Sequence, residues 1–447
     1  MGASDPIRAW LEGEPVWRAL VALLRREATP SYLVGGSVRD ALLGRPGCDL
    51  DVVVAGDALA LGRRLADRAG GAYMPLDAER NVARIIYKTD AAVLHCDLAG
   101  LRAADILGDL WDRDLTINAM ALPLQGDAFA LLDPTGGYAD LRAGLIRMVT
   151  PASFANDPVR VLRALRLGAA LGFALTPETE AALAPHAPAL ARVSPERLRD
   201  ELCQMIGLPN GALALARAAA CGALAVALPE LTDPAVARKA VALVAALEAP
   251  DAWTALPDRP PAAHWTDELS FGRSRWLACK WAALLAGVGA EAPVVAAAQR
   301  LKFSAREARY LADAVWACGA VLGWDLAPAP EALAIYRYFR RAGEAGVAGA
   351  LMALAWQRAA GAEVGAQARH AQTLWRAWFE RRATAVDPPA LISGDQLMAA
   401  LGLAPGPAVG RLLEAVREAQ VQGLVGASDE ALALARRLLT AGEGASA

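Results

Sequence analysis

The chain has 447 residues, 55% of them in the broad hydrophobic set and 21% charged, which excludes a disordered polymer and allows two to four domains, each with its own core. Forty-five Lys and Arg against 48 Asp and Glu give a formal charge of −3, so nucleic acid is not held through bulk positive charge and any polyanion site has to be local. The six cysteines, at 48, 96, 203, 221, 279 and 318, form no C-x-x-C pair, which excludes a zinc knuckle or a secreted disulfide framework and leaves them as expected buried thiols.

In chain order, the N-terminal segment Met1–Arg8 lacks a basic start followed by an apolar stretch, and no uncharged apolar run of about 18 residues occurs anywhere, so a cytoplasmic protein with no membrane span is expected. The first 150 residues hold the short β-branched runs. Strands are predicted at Tyr32–Val34, Leu50–Val54, Val82–Tyr87 and Val93–Leu98, with helices near 37–43 and 57–69, the second stopped by Gly70-Gly71. A helix is expected from Asp157 to about Leu171 and another over Pro195–Ile206 with Ser194 as N-cap. Helices then continue to the end, interrupted by a proline-rich loop over Ala249–Pro261 and by a firmer boundary at Asp387-Pro388-Pro389.

Two features carry chemistry. Gly35-Gly36-Ser37-Val38-Arg39-Asp40 joins a strand directly to a helix. Two glycines let backbone approach an oxyanion, the new helix offers unpaired N–H groups, and Arg39 adds charge. By itself such a junction is as readily a plain tight turn. Asp49-Leu50-Asp51 follows thirteen residues after Gly36 and places two carboxylates on one face of a strand. Like charges that close call for a cation, and a pair of hard carboxylates beside a phosphate loop is what Mg²⁺-dependent phosphoryl transfer needs. Solvated strand-end aspartates are the plain alternative.

The run Gly-Gly-Ser-Val-Arg-Asp-Ala-Leu-Leu-Gly at 35–44 together with Asp49-Leu-Asp51 resembles the class II tRNA nucleotidyltransferase and bacterial poly(A) polymerase family. Four further segments resemble that family's motifs in the same order: Asp114-Leu-Thr-Ile-Asn-Ala-Met120, where Arg113 and Asn118 match; Asp133–Leu141 through Ile146-Arg147; Asp157-Pro-Val-Arg160-Val-Leu-Arg163; and Ser194–Glu201. The resemblance implies that Asp49 and Asp51 hold Mg²⁺, that Gly35, Gly36, Ser37 and Arg39 seat phosphates, and that Arg113 and Asn118 meet ribose and triphosphate. It makes Asp157 and Arg160 the base-selecting pair. Read independently as one helical turn apart, that pair offers an acceptor for the amino group that cytosine and adenine share and a donor for the neighbouring ring atom; its bland form is a surface salt bridge. Arg163 and Arg166 continue a basic flank towards triphosphate or primer, or else form a solvated helix face.

Departures from the family pattern fall at Asp112, where an arginine is usual, and at Asn156, where a glutamate is usual. The segment after the fourth strand is short, only Ala99 to Gly108 before Asp109, like members that add CC alone, although short-loop members that complete the triplet are the alternative. The stretch Trp276–Leu285 resembles the helix of a His-Asp phosphohydrolase domain, yet no His-Asp dipeptide exists and His95, His186, His264 and His370 are scattered, so a helical scaffold without hydrolase chemistry is expected. The tail, Ile392–Met398 with Gly402–Gly410, resembles the C-terminal region of tRNA nucleotidyltransferases. Trp253, Trp265, Trp276, Trp281, Trp316 and Trp324 read mainly as core, whereas Tyr336-Arg-Tyr-Phe-Arg-Arg341 equally suits RNA, by ring stacking and phosphate contact.

The expected architecture is α+β: an N-terminal helical segment (1–28), a small mixed-sheet nucleotidyltransferase head (29–148), then an all-helical neck (149–208), body (209–386) and tail (387–447). The expected reaction is template-independent transfer of C and A residues from CTP and ATP to the 3′ end of tRNA with Mg²⁺. CC addition, poly(A) synthesis and a non-catalytic RNA-binding relic are the alternatives, and the sequence does not give the oligomeric state.

Overall fold

The computed structural model describes residues 4–125, 130–249, 256–324, 330–362 and 364–443. The chain divides into two compact units, Met1–Val193 with Ala220–Val226, and Ser194–Ala219 with Ala227–Ala447.

The first unit opens with helices α1 (Asp5–Gly13) and α2 (Pro15–Leu24), each begun by a proline whose fixed φ suits a first turn. Their buried faces, Ile7, Leu11, Trp17, Leu20 and Leu24, leave almost no apolar surface in water. Then come β1 (Ser31–Val34), α3 (Gly35–Leu42), β2 (Asp49–Val54), α4 (Ala58–Ala69), β3 (Ala72–Asp77), β4 (Val82–Lys88) and β5 (Val93–Gly100). After α5 (Ile106–Trp111) and a 3-10 turn, Thr116–Asn118, β6 (Ala121–Pro123) completes one sheet in the order β3-β4-β5-β2-β1-β6. Within this sheet only β2 and β5 pair in parallel. Asp57 caps α4 by accepting from the Ala60 N–H at 2.9 Å, and Gly70, at φ +73°, ends it as expected of a left-handed stop.

Two strands of this sheet escape the sequence pattern. β3 lies at an edge with most side chains exposed and Pro75 within it, so no apolar alternation marks it. β6 is three residues long and leans on a bridge from Ala121 to Leu132. The unit continues with α6 (Gly137–Ala143), β7 (Leu145–Ile146), α7 (Ser153–Asn156), α8 (Arg160–Leu171), β8 (Ala174–Leu175) and α9 (Pro177–His186). Helix α8 begins at Arg160 rather than at Asp157. Asp157 precedes Pro158, which disfavours the helical region, and its φ of −145° is extended.

Among the described residues the second unit is helical apart from a hairpin, β9 (Glu268–Ser270) with β10 (Arg273–Ser274). Helix Pro195–Gly207 starts after Ser194 in extended geometry, without a side-chain cap bond. The predicted loop is bounded by helices ending at Glu248 and restarting at Ala262, with 250–255, including Trp253, outside the described residues. Helices Ala305–Leu322 and Ala345–Ala359 cross at Gly349, where a Cβ would stand 2.3 Å from that of Ala317. Lys280 is wholly buried and satisfied by Glu248 at 2.6 Å and the Leu208 carbonyl at 2.7 Å. In the tail, helices Gly394–Leu401, Pro407–Val421 and Ser428–Glu443 pack around Leu397, Leu412, Val416 and Ala431.

Two expectations need correction here. The rings of Tyr336, Tyr338 and Phe339 are buried, and the arginines between them are paired, Arg337 with Glu418 at 2.6 Å, Arg340 with Glu414 at 3.2 Å and Arg341 with Asp313 and Glu291. The rings are core and offer no open stacking surface, while the arginines stay at the surface in their ion pairs. Cys48 is exposed, one residue before Asp49, and Cys221 is half-buried, while the other four thiols are buried. Among the described residues no helix is long and apolar enough to cross a membrane.

Candidate active site

Gly35, at φ +66°, turns β1 straight into α3. A Cβ there would stand 3.0 Å from Arg113 Nη1, and one on Gly36 would stand 3.6 Å from both Asp51 Oδ2 and Arg39 Nη2. The glycines therefore let an acid and two guanidiniums close on the turn from three sides. Ser37 braces the acids: its hydroxyl accepts from the Asp51 N–H at 2.8 Å and donates to the Asp49 carbonyl at 3.1 Å. Its donor is thus turned to β2.

Asp49 is open to solvent, its side chain 69% exposed, whereas Asp51 is half-buried. The parallel register sets His95 beside Asp49 and Asp97 beside Asp51. His95 Nδ1 lies 3.1 Å from Asp49 Oδ1, and Asp97 is gripped by both arms of Arg84 from β4, at 2.7 and 2.8 Å. Burial and then the charge of Asp97 push the Asp51 carboxyl above the usual carboxylate range, against opposing help from the Ser37 hydroxyl and Arg113.

From the segment after α5, Arg113 donates to the buried Asp109 at 2.9 and 3.0 Å. Arg39 forks onto Asp40 at 2.7 and 2.8 Å and donates to Asn118 Oδ1 at 2.6 Å. Asn118 in turn donates to Asp114 at 3.1 Å, and Arg163 from α8 reaches the same carboxylate at 3.1 Å. Burial alone would raise the Asp114 carboxyl, but Arg163, Asn118 and the Leu115 N–H outweigh it and hold it low. One bonded chain therefore runs from Asp40 through Arg39, Asn118 and Asp114 to Arg163.

Arg160 is buried and clamps backbone: it donates to the carbonyls of Asp112 at 2.7 Å, Ser153 at 3.3 Å and Arg113 at 3.4 Å. Its Nε stands 3.9 Å from Asp157 Oδ2. The two are neighbours, but across an extended residue and a helix start, not on one helical face. Arg166 lies one turn beyond Arg163 on α8, half-buried. Asp112 and Asn156, the two departures from the family pattern, both have exposed side chains.

Sequence reasoning missed Arg84, His95 and Asp97. Their signal is the alternation of His95 and Asp97 along a recognised strand, which becomes informative only once that strand is known to lie against β2.

A mixed sheet bearing two acids beside a glycine turn, with arginines delivered to the same end by the following helices, is the arrangement of a nucleotidyltransferase head. The poly A polymerase head domain model matches residues 31–147, and the model described as a probable RNA and SrmB-binding site of polymerase A matches 172–233. The chain is 36% identical to the CC-adding tRNA nucleotidyltransferase of Geobacter sulfurreducens over 96% of this chain and 97% of that protein. It is 33% identical to the A-adding tRNA nucleotidyltransferase of Deinococcus radiodurans, over 92% and 98% respectively. A solved CCA-adding enzyme in complex with CTP shares its fold, with a TM-score of 0.68 at 23% identity over 95% of this chain and 96% of that one. The chain belongs to the class II tRNA nucleotidyltransferase and bacterial poly(A) polymerase family, and it is a tRNA nucleotidyltransferase.

Proposed function

We propose that the enzyme adds C and A residues from CTP and ATP to the 3′ end of tRNA, in the cytoplasm, with Mg²⁺ as its metal. The observation that carries this reading is the meeting of Asp49 and Asp51 with the Gly35-Gly36 turn, Arg39 and Arg113 at one end of the sheet. The donor set fits Mg²⁺: two hard carboxylate oxygens on one face of a strand, that of Asp49 open to solvent and that of Asp51 half-buried beside the Gly36 turn. When bound, the metal supplies charge neutralisation at the triphosphate and a more acidic primer hydroxyl. Gly35 and Gly36 give the triphosphate close approach to backbone, with Arg39 and Arg113 as its cations. Ser37 keeps the two acids in register, and Asn118 orients Arg39. Asp157 accepts from the amino group common to cytosine and adenine, and Arg160 donates to the adjacent acceptor while holding the 112–113 backbone. Arg163 holds Asp114, and Arg166 extends the basic flank towards primer. Residues 29–148 serve as head, 149–208 as neck, 209–386 as body and 387–447 as tail.

The test incubates the protein with tRNA transcripts that end before the triplet, and separately with transcripts ending in CC, and reads product length. Complete triplets on the first and one added A on the second support the reading. A second reading, addition of CC alone, is favoured by the five-residue connection Leu101–Asp105 between β5 and α5 and by the Geobacter relative; it predicts arrest at CC and no extension of the second transcript. Long A tracts indicate a poly(A) polymerase. tRNA binding with no Mg²⁺-dependent incorporation indicates the non-catalytic relic.

A further inference from the structure

The hairpin β9–β10 carries a side chain that fold stability does not account for. Its two-residue turn, Phe271-Gly272, has positive φ at both positions, +48° and +74°. That is the primed geometry matched to strand twist, for which Asn-Gly is the preferred sequence. Phenylalanine in the left-handed region is disfavoured by its own Cβ. Burial offers no compensation, because the ring is 78% exposed, the most of any large apolar side chain among the described residues. Arg273 stands 6.0 Å from the ring centre and spends its hydrogen bonds on Glu307. Backbone geometry asks for asparagine here, yet an aromatic ring is presented to water.

On the hairpin itself Glu268 accepts from the Gly272 N–H at 2.7 Å, while the adjoining segment 302–309 is basic, with Lys302, Arg306 and Arg309 against Glu307. The Ser270 and Ser304 hydroxyls lie 3.3 Å apart, and Arg273 also stands 5.5 Å over Phe303, so the hairpin tip and segment 302–304 form one surface. Lys302 is exposed there, itself at φ +58°. Arg306 and Arg309 follow with side chains 62% and 80% exposed, each loosely paired with an acid, Glu344 at 3.4 Å and Asp313 at 3.6 Å, from which a phosphate would have to draw it. In a chain of formal charge −3, such a cluster is a local departure.

We propose that this surface is an RNA contact, in which Phe271 stacks on an unpaired or terminal base while Lys302, Arg306 and Arg309 meet backbone phosphates. Every base offers a π face to a presented ring, and phosphates complement the flanking cations. A second protein copy would instead have to desolvate those cations around a single ring. The inference rests on the tRNA reading above and deepens it, assigning a substrate contact to the helical unit.

The experiment compares Phe271→Asn and Phe271→Trp with wild type, by fluorescence anisotropy on a labelled tRNA transcript lacking the 3′ triplet and by thermal melting. Phe271→Asn, which suits the turn, is expected to melt at or above the wild-type temperature and to bind tRNA about 5- to 100-fold more weakly. Phe271→Trp is expected to stay within about threefold of wild type, since it keeps a stacking face. Lys302→Ala with Arg306→Ala is expected to flatten the salt dependence of tRNA binding by about one unit of log–log slope per residue. A Phe271→Asn protein that binds tRNA as tightly as wild type overturns the proposal. If that variant also loses a concentration-dependent dimer seen by light scattering, the surface is a self-association face. Wild-type protein that neither binds nor extends tRNA overturns the functional reading itself, an outcome distinct from retained affinity in an active enzyme.

Discussion

Replacing Gly137 with alanine tests how closely α6 is pressed against the turn that carries Asn118. A Cβ on Gly137 would lie 2.0 Å from the Thr116 carbonyl oxygen and 2.7 Å from its carbonyl carbon, both backbone atoms. Ordinary contact begins at 3.4 Å, so the helix or the turn must retreat by about 1.4 Å. Neither has slack. Asp133 accepts from the Gly137 and Tyr138 N–H groups at 2.7 and 2.9 Å, and Asp140 holds Thr116 Oγ1 at 2.7 Å and Arg147 Nε at 3.0 Å. Overpacking of this kind costs about 1–3 kcal/mol. At roughly 2–4 °C per kcal/mol for a unit of this size, the melting temperature is expected to fall by about 2–12 °C. Asn118 ends the displaced turn and orients Arg39, and a shift of about 1 Å in a positioning group costs on the order of 10²-fold in rate. CTP incorporation into tRNA at limiting nucleotide should therefore drop by about that factor. Gly136→Ala is the control: nothing lies within 4 Å of its Cβ, so only the left-handed φ of +77° is penalised, by about 1 kcal/mol. Wild-type rate and melting in Gly137→Ala, or a larger rate loss in Gly136→Ala, would refute the reasoning.

Asp51→Asn should abolish Mg²⁺-dependent incorporation yet melt at or above wild type in metal-free buffer near neutral pH. With the folded carboxyl raised by burial and Asp97, the ionised form is penalised above its folded pKa and the penalty is relieved as pH falls through it, so the melting gap should narrow as pH is lowered from neutrality towards the ordinary carboxylate range; a widening gap contradicts this. Asp114 has the opposite sign: its lowered carboxyl contributes stability that is full above the unfolded pKa and lost as pH falls through the folded value. Arg163→Met should cost about 1–3 kcal/mol at neutral pH by urea denaturation, and no change in midpoint would show that Asn118 and the Leu115 N–H suffice. Lys280→Met strands the Glu248 carboxylate in the interior and should cost about 3–5 kcal/mol, most of it recovered when Glu248→Leu is added; a double variant no better than the single one counts against the pair as the cause.

Local spacing made the centre of the site legible. Gly35 to Asp40 and the Asp-x-Asp pair announce themselves because each works over a few residues, a strand running into a helix or one face of one strand. What stayed hidden depends on partners distant in sequence. Asp97 and His95 acquire meaning from the register of β5 on β2, and Arg84 from the register of β4 on β5. Asp157 was drawn into the helix because periodicity continues through it, while the following proline acts on the backbone. Tyr336 to Arg341 mixes rings and guanidiniums as an RNA surface would, and only the fold supplies Glu414 and Glu418 as their partners. The β9–β10 hairpin went unseen because Phe-Gly carries a weaker turn signal than Asn-Gly.

The order of the head sheet leaves β3 and β6 as its two flanks, and each contains a proline, Pro75 and Pro123. A proline lacks the N–H that an incoming strand would need, β3 is further broken by a bulge between Pro75 and Asp77, and Leu132 already occupies the outer side of Ala121. The acids sit on an interior strand of a sheet closed to further addition at both borders. Newly made or partly unfolded heads therefore have little template on which to grow into aggregates, a protection that comes from backbone chemistry rather than from the charged guards that exposed edges otherwise require.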